Sequence, residues 1–380
     1  MTLPRNGTRG VIRSTMLLML ACLLGACSGG GAKPKPADLQ PNAALIGVRQ
    51  AWSTRIGPIA FPLNVKVTGE RVAVAASDGS LMLLESASGG EIWRAKSSEA
   101  LAAGVGSDGK TLAVVTRSNQ LLAFRDGKEL WRQRIPAQVY TSPLVAGERV
   151  FVLAADRSVS AYDGISGRRL WTQQRPGDAL VLRQSGVLVA VGDTLVVGLS
   201  GRMVGLNPIN GSVRWEVPIA TARGANDVER LIDLVGSVSR EGAVVCARAF
   251  QVAVGCVDTT RGTLIWSQPS NGVVGLHGNA RSVFGVDADG KIIAWNRSNG
   301  EKQWEHERLK YRAMTAPLAV GRSVAVGDDS GLIHLLSVED GSALNRLSTD
   351  GSAIAASPVL AGDTLIAVTR NGGIFGFRPE

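Results

Sequence analysis

Three histidines, three tyrosines and four cysteines are few for 380 residues, and each shortage removes a class of chemistry. His277, His306 and His334 stand at unrelated spacings, which leaves neither a metal-ligand set nor a catalytic triad; they read as isolated strand or surface residues. No GxxxxGK[ST] segment occurs, so the phosphate-cradling loop of nucleotide hydrolases is missing. Clustered stripes of Lys or Arg are missing as well. Setting aside Arg5, Arg9 and Arg13 near the N-terminus takes the formal charge from +9 to +6, which suits a solvated basic surface rather than a nucleic-acid partner. The apolar run from Met16 to Leu24 is too short for a permanent membrane-spanning helix.

Glycine, by contrast, is plentiful at 46 residues, and with 45% hydrophobic positions it suits a large all-β body with many turns. The glycines are ordered around tryptophan. One stands four residues before each of Trp93, Trp131, Trp171, Trp215, Trp266 and Trp304, as Gly89, Gly127, Gly167, Gly211, Gly262 and Gly300. A seventh copy, Gly341 to Asn345, keeps the glycine and loses the tryptophan. Eight positions before the closing residue comes Glu85, Asp163, Asn207, Asp258, Asn296 or Ser337, where a short side chain can bond turn N–H groups; the Trp131 copy has a turn shortened by two residues. From Trp52 to Asn345 the closing positions are spaced 41, 38, 40, 44, 51, 38 and 41 residues apart, the mark of a repeat array.

Inside each repeat, short apolar runs alternate with polar residues and are split by the turn signals Asp78-Gly79, Ser118-Asn119, Ser200-Gly201, Asp289-Gly290, Ser330-Gly331 and Asn371-Gly372. These are hairpin signals. About four strands fit each repeat of roughly 40 residues, and a four-stranded sheet repeated radially is a propeller blade. The last hairpin, around Asn371-Gly372, has no tryptophan strand of its own, and the segment around Trp52 is a tryptophan strand with no preceding hairpin. Pairing the two completes an eighth blade and removes two open sheet edges. A solenoid with free ends would need polar capping repeats, and these ends complement each other instead. The expected fold is an all-β, eight-bladed propeller of four-stranded antiparallel blades over residues 46–380.

Residues 1–26 read as a lipoprotein signal peptide that ends in Leu24-Gly25-Ala26 before Cys27, a stretch that resembles a bacterial lipobox with Cys27 as the lipidated residue. Cys22 is a second candidate with a shorter apolar run before it. Ser28, in place of an aspartate, resembles lipoproteins sent on to the outer membrane. Residues 27–45 then form the lipidated cysteine and a tether, since Ser28-Gly29-Gly30-Gly31-Ala32-Lys33-Pro34-Lys35-Pro36-Ala37 has too few apolar residues to pack. Two cysteines remain in the body, Cys246 and Cys256, on either side of a turn near Gln251. A three-residue turn makes them neighbours and allows a disulfide; a two-residue turn puts them on opposite faces.

The chain departs from its own period in two connections. Residues 176–186 carry the apolar cluster Leu180-Val181-Leu182 joined to Arg183, and the stretch of 51 residues before Trp266 holds a long loop, 220–233, that ends Glu229-Arg230-Leu231-Ile232-Asp233. Loops on a rigid scaffold are where function concentrates. With the lipobox and the eight tryptophan-type repeats, these two loops resemble the BamB family, propeller lipoproteins of the outer-membrane β-barrel assembly machinery, over essentially the whole chain. The resemblance implies a scaffold without cofactor or catalytic residues that faces the periplasm. Leu180, Leu182, Arg183 and Asp233 then dock the periplasmic POTRA domains of the barrel-inserting subunit BamA, and unfolded outer-membrane proteins are further candidate partners. One position departs from the family pattern: two residues after Asp233, where a second acid is expected, stands Val235. The repeat also resembles the tryptophan-docking motif of pyrroloquinoline-quinone dehydrogenases, the alternative reading. Those enzymes need acidic calcium ligands at the ring's centre and typically carry a vicinal cysteine pair, and no Cys-Cys dipeptide exists here. A WD-type propeller is excluded because no Trp-Asp dipeptide occurs.

Overall fold

The computed structural model describes residues 1–2, 34–175, 180–221 and 231–380. The expected signal peptide, apart from its first two residues, and Cys27 lie outside the described residues, as do Glu229 and Arg230. The chain divides into the compact units Met1–Pro36 and Ala37–Glu380.

The second unit holds eight four-stranded antiparallel sheets in a β-propeller, with no helix among the described residues. Seven sheets use four consecutive strands each: blades 1 to 7 span residues 66–96, 101–134, 144–173, 188–218, 234–269, 277–306 and 318–348. Blade 8 takes its three inner strands from Val359–Ala361, Thr364–Val368 and Gly373–Pro379 and its outermost strand from Val48–Arg55. That seam runs antiparallel from Val48 opposite Pro379 to Arg55 opposite Gly373, so the ring closes by pairing the N-terminal strand with the C-terminal hairpin.

The expected alternation of apolar and polar residues holds only for the outermost strands. In blade 1 the outermost strand Glu91–Lys96 is exposed at every other position, whereas the second and third strands, Arg71–Ala75 and Ser80–Glu85, are buried along nearly their whole length. The reason is stacking: each blade's middle is covered by a neighbouring blade on both faces, so these strands behave as two-sided core strands. Fully buried Leu81, Met82, Leu84, Leu101, Leu112, Leu121 and Leu122 form this layer in blades 1 and 2. Each such side chain contributes about 1.5–3 kcal/mol by leaving water.

The glycine four residues before each tryptophan has its cause one blade away. Gly167 of blade 3 packs on the indole of Trp131 in blade 2, and a Cβ there would stand 2.6 Å from that ring. Trp52, Trp171, Trp215, Trp266 and Trp304 meet Gly89, Gly211, Gly262, Gly300 and Gly341 in the same way, each indole seated on the next blade's turn. The indole N–H then donates to a carbonyl of that turn: Trp131 to Gly164 at 3.1 Å, Trp171 to Pro208 at 3.0 Å, Trp304 to Val338 at 2.9 Å. The polar residue of the motif holds the turn in shape, as Asp163 Oδ1 accepts from the Ser166 N–H at 2.7 Å and Asn207 Oδ1 from the Ile209 N–H at 2.9 Å. In blade 2, where the turn is shortened, a Cβ at Gly127 would stand 3.8 Å from the Trp93 ring.

This wiring explains Asn345. It occupies the tryptophan slot of blade 7, but blade 8 has no covalent turn between its third and outermost strands on which an indole would dock. Residues 37–46, read above as the distal tether and the start of the ring, fill the place. Leu45 N–H donates to Leu344 at 2.7 Å, Asn345 Nδ2 to the Ile46 carbonyl at 2.8 Å, and Arg346 Nη1 to the Gln40 carbonyl at 3.1 Å. Ala37 is bonded both ways, its N–H to Lys310 O at 2.9 Å and its carbonyl from Arg312 at 3.2 Å. The chain is therefore strapped to the ring from Ala37 onward, nine residues earlier than the expected boundary at 46.

The turn near Gln251 has three residues, 250–252, so Cys246 lies directly opposite Cys256 and the two form a disulfide. The three histidines lie on strands, His306 and His334 buried and His277 half-buried. His334 Nε2 is 3.0 Å from Asp328 Oδ2, and His306 Nδ1 is 2.9 Å from the Gly341 carbonyl.

Candidate functional site

In an antiparallel blade the connection to the next blade and the turn between the second and third strands share one face of the ring. Three successive interblade connections meet there: 135–143, 174–187 and 219–233, entering blades 3, 4 and 5. The sequence-expected residues Leu180, Leu182, Arg183 and Asp233 all lie on the second and third of these, and the structure brings them together. The Leu182 N–H donates to Asp233 Oδ2 at 2.9 Å.

Among the described residues, that bond is one of four that pin the loop. Arg157, from the turn between the second and third strands of blade 3, donates to the Leu180 carbonyl at 3.1 Å. Further on, the Gly186 N–H donates to Thr141 Oγ1 at 2.9 Å and the Ser185 carbonyl accepts from the Gly236 N–H at 2.9 Å. The backbone of residues 180–186 is thus tied to blade 3, to the connection before it and to the first strand of blade 5. Its side chains divide. Leu180 is 41% exposed and Arg183 is exposed, with its guanidinium carbon 5.7 Å from the centre of the Tyr140 ring, a cation–π distance. Leu182 is half-buried and lines a cleft of about 50 Å³ with Tyr140, Arg157 and Asp233. Ligand pockets run to about 300–1,000 Å³, so this cleft has room for one small side chain of a partner and not for a cofactor.

Asp233 is partly enclosed, with 20% of its side chain exposed, and Arg157 Nη2 stands 4.0 Å from its Oδ1. Val235 is buried at 2% and pairs in register with Arg248 on the next strand. A carboxylate at that position would be drawn inside the blade, so the apolar residue suits this chain's packing.

Sequence reasoning missed Tyr140, Thr141 and Arg157. For the first two there was no signal, because contacts across loops one blade apart leave no trace in spacing. Arg157 did leave one: it stands where five other turns carry Gly79, Asn119, Gly290, Gly331 and Gly372.

The largest cavity described is the central channel, about 930 Å³, lined by the innermost strands and the connections into them. Its wall is mainly apolar, with Phe61, Val65, Val145, Val187 and Met314 among its residues. Among the described lining residues Asp329 is the one carboxylate, and no cluster of three or more His, Cys, Asp or Glu able to hold a metal occurs among the described residues. A calcium-bound quinone needs several convergent acidic donors, so these residues do not fit that group.

Comparison with known proteins bears on both readings. The family profile described as outer membrane protein assembly factor BamB matches residues 77–306. A curated relative of that name from Bordetella pertussis is 35% identical over 380 residues, covering 99% of this chain and 98% of its own. Among solved structures, BamB from Moraxella catarrhalis superposes with a TM-score of 0.79 at 24% identity, covering 87% of this chain and 99% of its own. Quinohemoprotein alcohol dehydrogenase from Comamonas testosteroni superposes at a TM-score of 0.67 and 14% identity, covering 90% of this chain and 79% of its own, a likeness of fold alone.

Proposed function

Because this chain belongs to the BamB family of outer membrane protein assembly factors, we propose that its pinned loop 180–186 docks the periplasmic POTRA domains of the barrel-inserting subunit BamA. A part in outer-membrane protein assembly follows from membership, as does an accessory, non-enzymatic role at the outer membrane. The finer assignment is carried by one observation: an exposed leucine and an exposed arginine on a loop whose backbone is tied at four points. A rigid loop loses little conformational entropy on binding, and an apolar and a cationic side chain presented side by side suit a strand edge flanked by acids. Cys27 anchors the chain to the outer membrane by lipidation, with the ring facing the periplasm.

Leu180→Glu and Arg183→Glu alter exposed positions and are expected to leave the melting temperature unchanged. Recovery of BamA with the tagged protein from detergent-solubilised envelopes falls by roughly thirtyfold for Leu180→Glu, the effect of a hot-spot contact of about 2 kcal/mol. Undiminished recovery would remove the assignment. Cys27→Ala is expected to move the protein from the outer-membrane fraction to the soluble one, and membrane fractionation that finds it unmoved refutes the anchor.

A further inference from the structure

The turn between the second and third strands of blade 3 breaks a rule that most blades keep. In five blades such a turn closes with an N–H bond back three residues from Gly79, Asn119, Gly290, Gly331 or Gly372, and in blade 5 the donor is Val252. In blade 3 the donor is Arg157, bonded to the Ala154 carbonyl at 3.0 Å, with φ of 63°. An arginine is strained in that left-handed conformation, which glycine adopts freely, so the side chain must bring something that offsets it.

What it brings is reach into the docking loop. Arg157 is buried at 6%, its Nη2 donates to the Leu180 carbonyl at 3.1 Å, and the same nitrogen lies 4.0 Å from Asp233 Oδ1. The other oxygen of Asp233 accepts the Leu182 N–H at 2.9 Å. Arginine, carboxylate and two backbone groups close a circuit across blades 3, 4 and 5. The far end of the loop is held by different partners, Thr141 and Gly236.

We propose that Arg157 is the positioning residue of this surface: with Asp233 it latches residues 180–182 so that Leu180 and Arg183 are presented in one fixed geometry. Asp233 then acts on a partner through the shape of the loop rather than through its own charge. The proposal deepens the docking reading above and rests on it for its functional consequence.

Arg157→Gly installs the residue that other blades use at this place, so the backbone strain disappears along with the latch. The melting temperature of the full-length protein is expected to hold or rise. Amide hydrogen exchange at Leu182 accelerates by about tenfold or more, the effect of losing a charge-assisted support, while the Gly186 amide, bonded to Thr141, keeps its protection. BamA recovery falls although no presented side chain has changed. Unchanged exchange at Leu182 overturns the latch, whereas accelerated exchange with BamA recovery intact overturns its part in docking. A drop in melting temperature with exchange rising across the whole ring overturns it too, since Arg157 would then be a general structural support. The exchange measurement needs no partner, so the latch is judged separately from the docking assignment, which Leu180→Glu tests.

Discussion

A protein lacking residues 1–55 is expected to show no cooperative unfolding transition, whereas one lacking residues 1–36 melts as the full chain does. The longer deletion removes the outermost strand of blade 8, which pairs with Gly373–Pro379 along its length. It also removes Trp52, whose indole N–H donates to the Ser86 carbonyl at 2.9 Å and whose ring supports Gly89. Blade 1 loses its support on one side, and the bonds of residues 37–46 along blade 7 go with it. The ring is left with an unpaired edge at the third strand of blade 8 and an uncovered face on blade 1. The loss approaches the whole stability of a domain, about 5–15 kcal/mol. The shorter deletion stops before Ala37, whose N–H is bonded to Lys310 of the ring, and leaves all of these contacts in place. Circular dichroism melts of the two truncations decide the matter, and equal midpoints would mean that the seam contributes little.

Gly167→Ala is expected to destabilise the ring by about 1–3 kcal/mol more than Gly147→Ala, the cost of overpacking a filled site. Both glycines belong to blade 3 and both have left-handed φ, 72° at Gly167 and 57° at Gly147, so each substitution carries a similar backbone strain of about 1–2 kcal/mol. They differ in what the new methyl group meets. At Gly147 there is nothing within 4 Å, and at Gly167 there is the indole of Trp131 at 2.6 Å. The difference between the two variants therefore isolates the docking of blade 2 on blade 3, and urea titrations read it directly. Identical midpoints would show that the indole moves aside without cost.

The fold was legible because one local pattern repeats. A glycine four residues before the closing position marks the same turn seven times, in six copies with a closing tryptophan and in six with the polar residue, and turn dipeptides divide what lies between. The partner of each glycine was not legible, because Gly167 and Trp131 belong to different repeats and periodicity describes each repeat only by itself. The even burial of strands such as Ser80–Glu85 was hidden for a similar reason: stacking of blades, not the order of residues within one, decides which faces see water. At the site, the departure of residues 176–186 and 220–233 from the period marked two connections whose ends, Leu182 and Asp233, the structure places side by side. Asp233 and Leu182 stand 51 residues apart, and only the curvature of the ring brings them within hydrogen-bonding distance. Arg157 was visible as an exception, a charged residue in a glycine slot, yet nothing in the sequence said where its side chain goes. Residues 37–46 show the opposite failure: a composition fit for a loose tether is held in place by backbone and asparagine bonds that need no apolar pattern.

The seam also sets an order of events. Blades 1 to 7 are each built from one continuous stretch, so their hairpins form from nearby residues as soon as these are free to pair. Blade 8 joins Val48 to Pro379, the pairing with nearly the greatest separation the chain allows, and such contacts carry the slowest, entropically costliest loop closure. Until that strand has emerged, the tryptophan of the first segment and the last hairpin both expose unpaired edges. A chain stalled short of its last strand is therefore an open arc, sticky at both ends, and prone to pair with its neighbours until the final residues arrive.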